Sequence, residues 1–191
     1  MPIYFRPMAG LWLATVCTAS VPAEPQPDAR RSGLEFMSPA TQAMQRDDTI
    51  NPAMLWVQQG QALWQHVPAP GGQSCAGCHG DAALSMRGVA ARYPAFDDLQ
   101  QHPVNLAQRI NLCRQRHQQS DPWPFESQEL LGLESFVALQ SRGIPITPPD
   151  DARLAPYQES GKQRYEQRMG QLDLSCAQCH DQRWGRRLGG S

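Results

Sequence analysis

The sequence Cys-x-x-Cys-His occurs twice in this chain, and it constrains the fold more than any other feature. The first copy is Cys75–His79 and the second is Cys176–His180, at an offset of 101 residues. Two cysteines at this spacing can each form a thioether with one vinyl group of a haem, and the histidine then lies under the iron. The pattern therefore predicts covalent c-type haem. The attaching residues are Cys75, Cys78, Cys176 and Cys179, and the proximal iron ligands are His79 and His180.

Three other uses of paired cysteines fit the sequence less well. A thioredoxin-like dithiol requires a strand–helix–strand setting, which the sequence does not indicate. Zinc requires further ligands beside each motif, and none accompanies either copy. A disulfide framework does not explain why a histidine follows each cysteine pair directly. We therefore expect two covalently bound haems.

The repeat extends beyond the two motifs. At the same offset Gly60 and Trp64 align with Gly161 and Tyr165, and Gly88 aligns with Gly189. Shared landmarks at one fixed offset are typical of a duplicated structural unit. We predict a mainly α fold with two cytochrome c-like haem domains in tandem, the second of them incomplete.

Hydrophobic spacing and helix-start residues predict four longer helices and no strand. The expected helices cover residues 52–66, 103–119, 126–141 and 157–169. Within the third, Leu130, Leu133 and Val137 form the expected core stripe.

Composition divides the chain into segments. Residues 1–23 contain a short apolar run after Arg6 and predict a signal peptide for export to the periplasm. The remaining segments are a flexible arm (24–49), a first haem domain (50–143), a Pro-rich linker (144–156) and the start of a second domain (157–191). No other segment is apolar enough to span a membrane. A net charge of −1 without a basic run argues against nucleic-acid binding.

The sequence pattern alone does not identify the sixth ligand of the first haem iron. Four side chains could supply it: Met86, His102, Cys113 and His117. Met86 follows the motif closely and is also a plausible core residue. Cys113 and His117 share one predicted helical face with Leu106 and Ile110, which directs them toward the core. An unpaired thiol is unusual in an exported protein, which favours a role for Cys113.

Three stretches carry a family resemblance: SCAGCHGDAALSMRGVAARYPAFD, NLAQRINLCRQRHQQSDPWPFESQELLGLESFVALQSRGIPI and GQLDLSCAQCHDQRWGRRLGG. They resemble the SoxA family, the dihaem subunits of periplasmic SoxAX cytochromes, from about residue 54 to residue 190. The resemblance implies that Cys113 is the distal ligand of the first haem. It also implies a heterodimer with a monohaem cytochrome, SoxX, and the activity of an L-cysteine S-thiosulfotransferase. In that reaction thiosulfate is joined to a cysteine of the carrier protein SoxY, and two electrons pass through haem to an external cytochrome c.

The sequence departs from the family in its last part. In SoxA proteins the catalytic cysteine lies C-terminal to the second motif, and the repeat places the counterpart of Cys113 beyond Ser191. No residue of this chain is therefore assigned the catalytic role, and we expect a C-terminally truncated sequence whose second haem is held less firmly. Arg183, Arg186 and Arg187 suit thiosulfate, but the pattern favours a solvated basic terminus over a binding site.

Two other functions agree with the same motifs. The protein could be a dihaem cytochrome that only transfers electrons, which needs no reactive cysteine. It could also be a non-catalytic haem scaffold that contributes only a partner interface. A dihaem peroxidase is a weaker alternative, because it needs an open iron position.

Overall fold

Eight helices and one short hairpin make up the described part of the chain. The computed structural model describes residues 31–68, 70 and 72–184. The helices are α1 (Pro39–Arg46), α2 (Met54–Gln65), α3 (Cys75–His79), α4 (Ala82–Ser85), α5 (Leu106–His117), α6 (Gln128–Leu139), α7 (Ala155–Glu166) and α8 (Cys176–His180). Three single 3-10 turns lie at Gly33–Phe36, Ala90–Arg92 and Ala152–Leu154. The predicted mainly α fold is confirmed, and each of the four longer predicted helices is present but shorter than expected.

Polar residues at the helix starts explain the observed bounds. α5 begins at a capping box in which Asn105 accepts from the Gln108 N–H and the Gln108 side chain accepts from the Asn105 N–H, both at 2.8 Å. α6 begins where the Ser127 hydroxyl accepts from the Leu130 N–H at 3.3 Å. A left-handed Gly143, with φ of 77°, lies in the turn after α6.

The core lies where α2 crosses α6, the most extensive packing between elements in the described residues. Its buried side chains are Trp64, Leu106, Ile110, Leu130, Leu133, Phe136 and Val137. The predicted stripe on α6 is therefore buried. Gly60 lies at the crossing itself, and a Cβ placed there would meet the Gly132 carbonyl oxygen at 2.0 Å. Glycine at position 60 allows the two helix backbones to touch.

The prediction that the fold contains no strand is wrong at one place. β1 (Ala95–Asp97) pairs antiparallel with β2 (His102–Val104), with Phe96 opposite Pro103. Strands of three residues are too short to show a period-two pattern, and a proline inside one argues against a strand unless the strand lies at an edge. The local sequence therefore carries no usable signal for this hairpin.

The arm predicted as flexible between residues 24 and 49 contains regular structure in its described part. The Ser38 hydroxyl caps α1 by accepting from the Thr41 N–H at 3.2 Å, and Pro39 occupies the first helical position. No residue of α1 is buried. A bidentate ion pair between Arg142 and Asp48, at 2.9 and 3.0 Å, links the end of the arm to the turn after α6. Local capping therefore stabilises α1, a helix that the polar composition of the segment did not predict.

The Pro-rich segment 144–156 lies against the first domain. The Thr147 N–H donates to the Ala91 carbonyl at 2.7 Å, and Leu154 is buried. The Arg153 guanidinium lies over the Phe96 ring, 4.2 Å from its centroid, and pairs with Asp98. The segment is thus attached to the hairpin at several points.

The proposed signal peptide, residues 1–23, lies outside the described residues, as does Cys17. Within the residues that the structure describes, no helix has the length and apolar character needed to cross a membrane.

Candidate haem site

The first Cys-x-x-Cys-His motif folds into the short helix α3. The Ser74 hydroxyl accepts from the Gly77 N–H at 2.9 Å and caps the helix start. Gly80 ends the helix with φ of 65°, a conformation that glycine adopts without steric cost. The two caps confine the motif to one helical turn, so both thiols and the His79 ring project from one compact element.

Trp64 fixes this turn to the core. Its indole N–H donates to the Gly80 carbonyl at 3.1 Å, and its ring lies 5.8 Å from the His79 ring, centroid to centroid. The indole ring also packs against the Phe136 ring of α6, and the two ring centroids are 5.9 Å apart. Trp64 is only 4% exposed. The motif is therefore held against the α2–α6 core by a buried aromatic contact and a hydrogen bond.

A cavity of about 590 Å³ opens beside the motif. Its lining includes Cys75, Cys78 and His79 of the motif and Cys113 of α5. Its apolar lining comes from Met86, Val89, Leu106, Ile110, Leu133 and Val137. The volume lies within the range of cofactor pockets, which are mostly apolar with a few directed polar groups.

The two thiols of the first motif are free and differ in their surroundings. The Cys78 thiol lies 2.9 Å from the Gln73 side-chain oxygen and is exposed. Cys75 is half-buried and accepts a long hydrogen bond from the Gln118 amide at 3.6 Å. Burial raises the pKa of the Cys75 thiol above its ordinary value. Neither sulfur is committed to a disulfide, so both are available for thioether formation.

The four candidates for the distal ligand lie in different places. Cys113, Met86 and His117 line the cavity. His102 is not among the described residues that line it, and its Nδ1 lies 2.9 Å from the Pro103 carbonyl oxygen on β2. Cys113 is half-buried on the same face of α5 as Leu106 and Ile110, as the spacing predicted.

Opposing influences act on the Cys113 thiol. Burial raises its pKa, and the charges of Arg109 and Arg116 act in the opposite direction. A thiolate in this position would therefore have cationic neighbours within a mostly apolar surrounding. That is the setting in which an anionic sulfur can serve as a metal ligand.

The second motif lies against a separate, more open hollow of about 570 Å³. The Ser175 hydroxyl and the Gln178 side chain form a capping box at the start of α8. The lining residues are Arg31, Phe36, Tyr165, Cys176, His180, Asp181 and Trp184. Arg31 and Phe36 come from the arm before α1, so this part of the arm forms one wall of the hollow. Nothing in the sequence pattern pointed to that contact.

The two copies differ in what covers them. Gly161 and Tyr165 on α7 occupy the repeat positions of Gly60 and Trp64. A Cβ at Gly161 would meet no atom of the described residues within 4 Å, and α7 has no buried residue.

Sequence reasoning missed the arginines around the first cavity. Arg109 and Arg114 line it, and Arg114 is buried with its guanidinium 3.6 Å from the Trp123 ring centroid. Charged residues at helical spacing usually indicate a solvated helix face, so the sequence pattern did not indicate that these arginines line a cavity. Arg183 is exposed, and Arg186 and Arg187 lie outside the described residues.

The residues around the first cavity fit a covalently bound haem. Two free thiols and an imidazole come from one helical turn, and a third free thiol, that of Cys113, lines the same cavity. The rest of the lining is mostly apolar, as a porphyrin ring requires. Histidine and cysteine thiolate are both known protein ligands of haem iron.

A mainly helical domain with this motif beside an apolar cavity defines a c-type cytochrome domain. Residues 59–146 match the family model described as SoxA/TsdA, cytochrome c domain. These residues thus form a SoxA/TsdA-type cytochrome c domain, which carries covalent haem c, and the chain as a whole resembles SoxA.

Relatives and a solved structure agree with this assignment. The chain is 36% identical to the L-cysteine S-thiosulfotransferase subunit SoxA of Pseudaminobacter salicylatoxidans, over 90% of this chain and 60% of that protein. It is 35% identical to the subunit of the same name from Paracoccus pantotrophus, over 83% of this chain and 54% of that protein. The crystal structure of SoxXA from P. pantotrophus superposes with a TM-score of 0.76 at 34% identity, covering 84% of this chain and 60% of the other. The chain thus spans less than two thirds of the length of these proteins.

Proposed function

We propose that the chain is a haem-bearing, SoxA-type subunit of periplasmic thiosulfate oxidation. The observation that carries this proposal is the cavity lined both by Cys75, Cys78 and His79 of the motif and by Cys113 of α5. The similarity to proteins named L-cysteine S-thiosulfotransferase subunit SoxA supports the choice of reaction.

Cys75 and Cys78 would hold the first haem through thioethers, and His79 and Cys113 would ligate its iron. Cys176 and Cys179 would hold the second haem in the same way, and His180 would ligate its iron. Bound haem c supplies one-electron transfer, and an anionic sulfur ligand favours the ferric state relative to a thioether ligand. Trp64 orients the His79 ring, and the apolar side chains of α5 and α6 exclude water from the first haem.

The domain boundaries belong to the same proposal. A first cytochrome c-like domain covers residues 50–143, the Pro-rich segment 144–156 follows, and residues 157–191 begin a second haem domain. Residues 1–23 act as the export signal. The repeat landmarks and the agreement of α2 with α7, and of α3 with α8, support this division.

In the proposed reaction a sulfur–sulfur bond forms between the sulfane sulfur of thiosulfate and a cysteine of a SoxY-type carrier protein. The cysteine loses its proton and two electrons leave the sulfur pair, so the product is a cysteine S-thiosulfonate. The electrons pass to an external cytochrome c. A SoxX-type monohaem cytochrome is the partner subunit, as in the SoxXA complex to which the structure is similar.

Replacement of the distal sulfur tests the first haem site. We expect Cys113→Ala to keep covalent haem, measured as pyridine haemochrome per chain, and to lose the thiolate signature in the EPR and near-infrared spectra. Met86→Ala and His117→Ala change the other two candidates in the same cavity and are the matched controls. Retention of the thiolate signature in Cys113→Ala would assign the ligand elsewhere.

The reaction is tested with the product of the full reading frame, because no residue up to Ser191 is assigned the catalytic role. This protein is coexpressed with a SoxX-type partner. Thiosulfate, a SoxY-type carrier and ferricytochrome c are supplied together. We expect carrier mass to increase by one thiosulfate as two equivalents of cytochrome c are reduced. Electron exchange with cytochrome c without carrier modification would instead favour a dihaem electron-transfer protein.

A further inference from the structure

A buried carboxylate connects the hairpin to the helix that carries Cys113. Asp97, at the end of β1, is only 3% exposed. Its side chain forms an ion pair with Arg109 at 2.8 Å and accepts hydrogen bonds from both terminal nitrogens of Arg116 at 2.8 and 3.0 Å. The N–H groups of Leu99 and Gln100 donate to the same carboxylate at 3.1 and 2.8 Å. Asp97 is therefore fully hydrogen-bonded, as a buried charge requires.

The two arginines lie on either side of Cys113 along α5. Arg109 precedes Cys113 by four residues and Arg116 follows it by three. Residues at these spacings are neighbours on one helical face, so the three side chains form a row. Because Asp97 binds both ends of the row, it fixes the rotation of α5 about its axis and its position along the hairpin. Those two quantities decide where the Cys113 sulfur points.

The cluster also supplies a charge. Two guanidinium groups and one carboxylate leave one net positive charge beside Cys113. Arg92, Arg109 and Arg114 all line the cavity, and the Arg114 guanidinium is bound to the Asp121 carbonyl at 3.1 and 3.2 Å and stacks on Trp123. The Asp97 cluster adds one net positive charge on the face of α5 that carries Cys113, and this charge complements a single thiolate.

We propose that Asp97 is a positioning residue that acts through Arg109 and Arg116 to hold the Cys113 sulfur at the iron of the first haem. The proposal rests on the haem site proposed above, because Cys113 must be the distal ligand for the positioning to matter. Asp97 itself does not line the cavity. Its effect on the haem is transmitted by the helix face that the two arginines anchor.

The test uses the complete, haem-loaded chain and three variants. Asp97→Asn keeps the shape of the side chain and removes its charge. Arg116→Gln removes one anchor and leaves the contact with Arg109 in place. Asp98→Asn is the matched control, since it is the same change at the adjacent residue, whose side chain is 78% exposed and pairs with Arg153 at the surface. Pyridine haemochrome and far-ultraviolet circular dichroism verify that each variant is folded and carries haem.

We expect Asp97→Asn and Arg116→Gln both to lose part of the thiolate signature in EPR and near-infrared spectra, with a second iron species in its place. The haem potential rises in both variants, because the thiolate that favours the ferric state is lost in part of the molecules. Asp98→Asn keeps the wild-type spectrum and potential. If Asp97→Asn does not fold, Arg116→Gln alone decides the question by the same two measurements.

A pure field effect gives a different pattern. Removing the carboxylate would raise the potential and removing the guanidinium would lower it, while the thiolate signature stays intact in both variants. That pattern, or wild-type spectra in both variants, would overturn the positioning role. A Cys113→Ala variant that retains the thiolate signature would instead overturn the haem site proposed above, so the two failures are distinguishable.

Discussion

The contact between Gly60 and Gly132 sets the distance between α2 and α6, and replacing Gly60 by alanine tests it. The added Cβ would lie 2.0 Å from the Gly132 carbonyl oxygen, 2.6 Å from the Gly132 carbonyl carbon and 2.6 Å from the Phe136 Cβ. Two of these atoms belong to the backbone, so no rotamer change can relieve the overlap. The helices must separate, and Trp64, one turn along α2, must move with them.

The expected cost follows from these distances. Overpacking a core by one methyl group costs about 1–3 kcal/mol, and a backbone overlap belongs at the upper end of that range. Alanine regains about 1 kcal/mol of helix propensity over glycine, which does not offset the separation of two buried helices. We therefore expect Gly60→Ala to lower the free energy of unfolding by about 2 kcal/mol, which is about 3 for the overlap less about 1 for the helix propensity.

The repeat offers the matched control. Gly161 occupies the same repeat position on α7, and a Cβ there would meet no described atom within 4 Å. Gly161→Ala should therefore leave stability unchanged or raise it by up to about 1 kcal/mol. Urea unfolding of the two haem-loaded variants, followed by far-ultraviolet circular dichroism, measures both. Equal effects of the two substitutions would refute the reasoning from the helix crossing.

Two further predictions concern the surroundings of the first haem. Trp64→Phe removes the hydrogen-bond donor to the Gly80 carbonyl and part of a buried ring. It should lower the free energy of unfolding by about 1–2 kcal/mol, measured by urea titration. Wild-type stability would show that the hydrogen bond to Gly80 contributes nothing. The hydrogen bond from Arg116, as the largest cause, holds the pKa of Asp97 well below its ordinary value. Below pH of about 4 the unfolded chain therefore takes up a proton that the folded carboxylate does not. The free energy of unfolding therefore falls as the pH decreases through that range. Asp97→Asn should make the free energy of unfolding depend less steeply on pH below about 4. The same slope in wild type and variant would contradict the low pKa of Asp97.

α5 and α6 were predictable because each combines a polar start with apolar residues at helical spacing. Asn105 and Ser127 mark the starts of α5 and α6, and the apolar stripe of α6 is buried as expected. The hairpin was not predictable, since strands of three residues show no alternation and Pro103 argued against one. α1 was missed because its stability comes from local capping, and its polar sequence buries nothing.

The candidate site divides in the same way. The thiols and imidazole of the motif are neighbours in sequence, so their grouping required no tertiary information. The approach of Cys113 to the same cavity was only suggested by its helical face. The anchoring of that face by Asp97 had no signal at all, because residues 97, 109 and 116 come together only when the hairpin packs on α5.

The sequence by itself determined the haem-attachment motifs and the helical class, because covalent attachment and helical periodicity are properties of residues close in the chain. Only the tertiary structure showed that a Cβ at position 60 would overlap the Gly132 backbone and that Asp97 is buried between two arginines. It also placed Arg31 and Phe36 of the arm beside the second motif. These features depend on distances between segments far apart in the chain, and packing alone sets such distances.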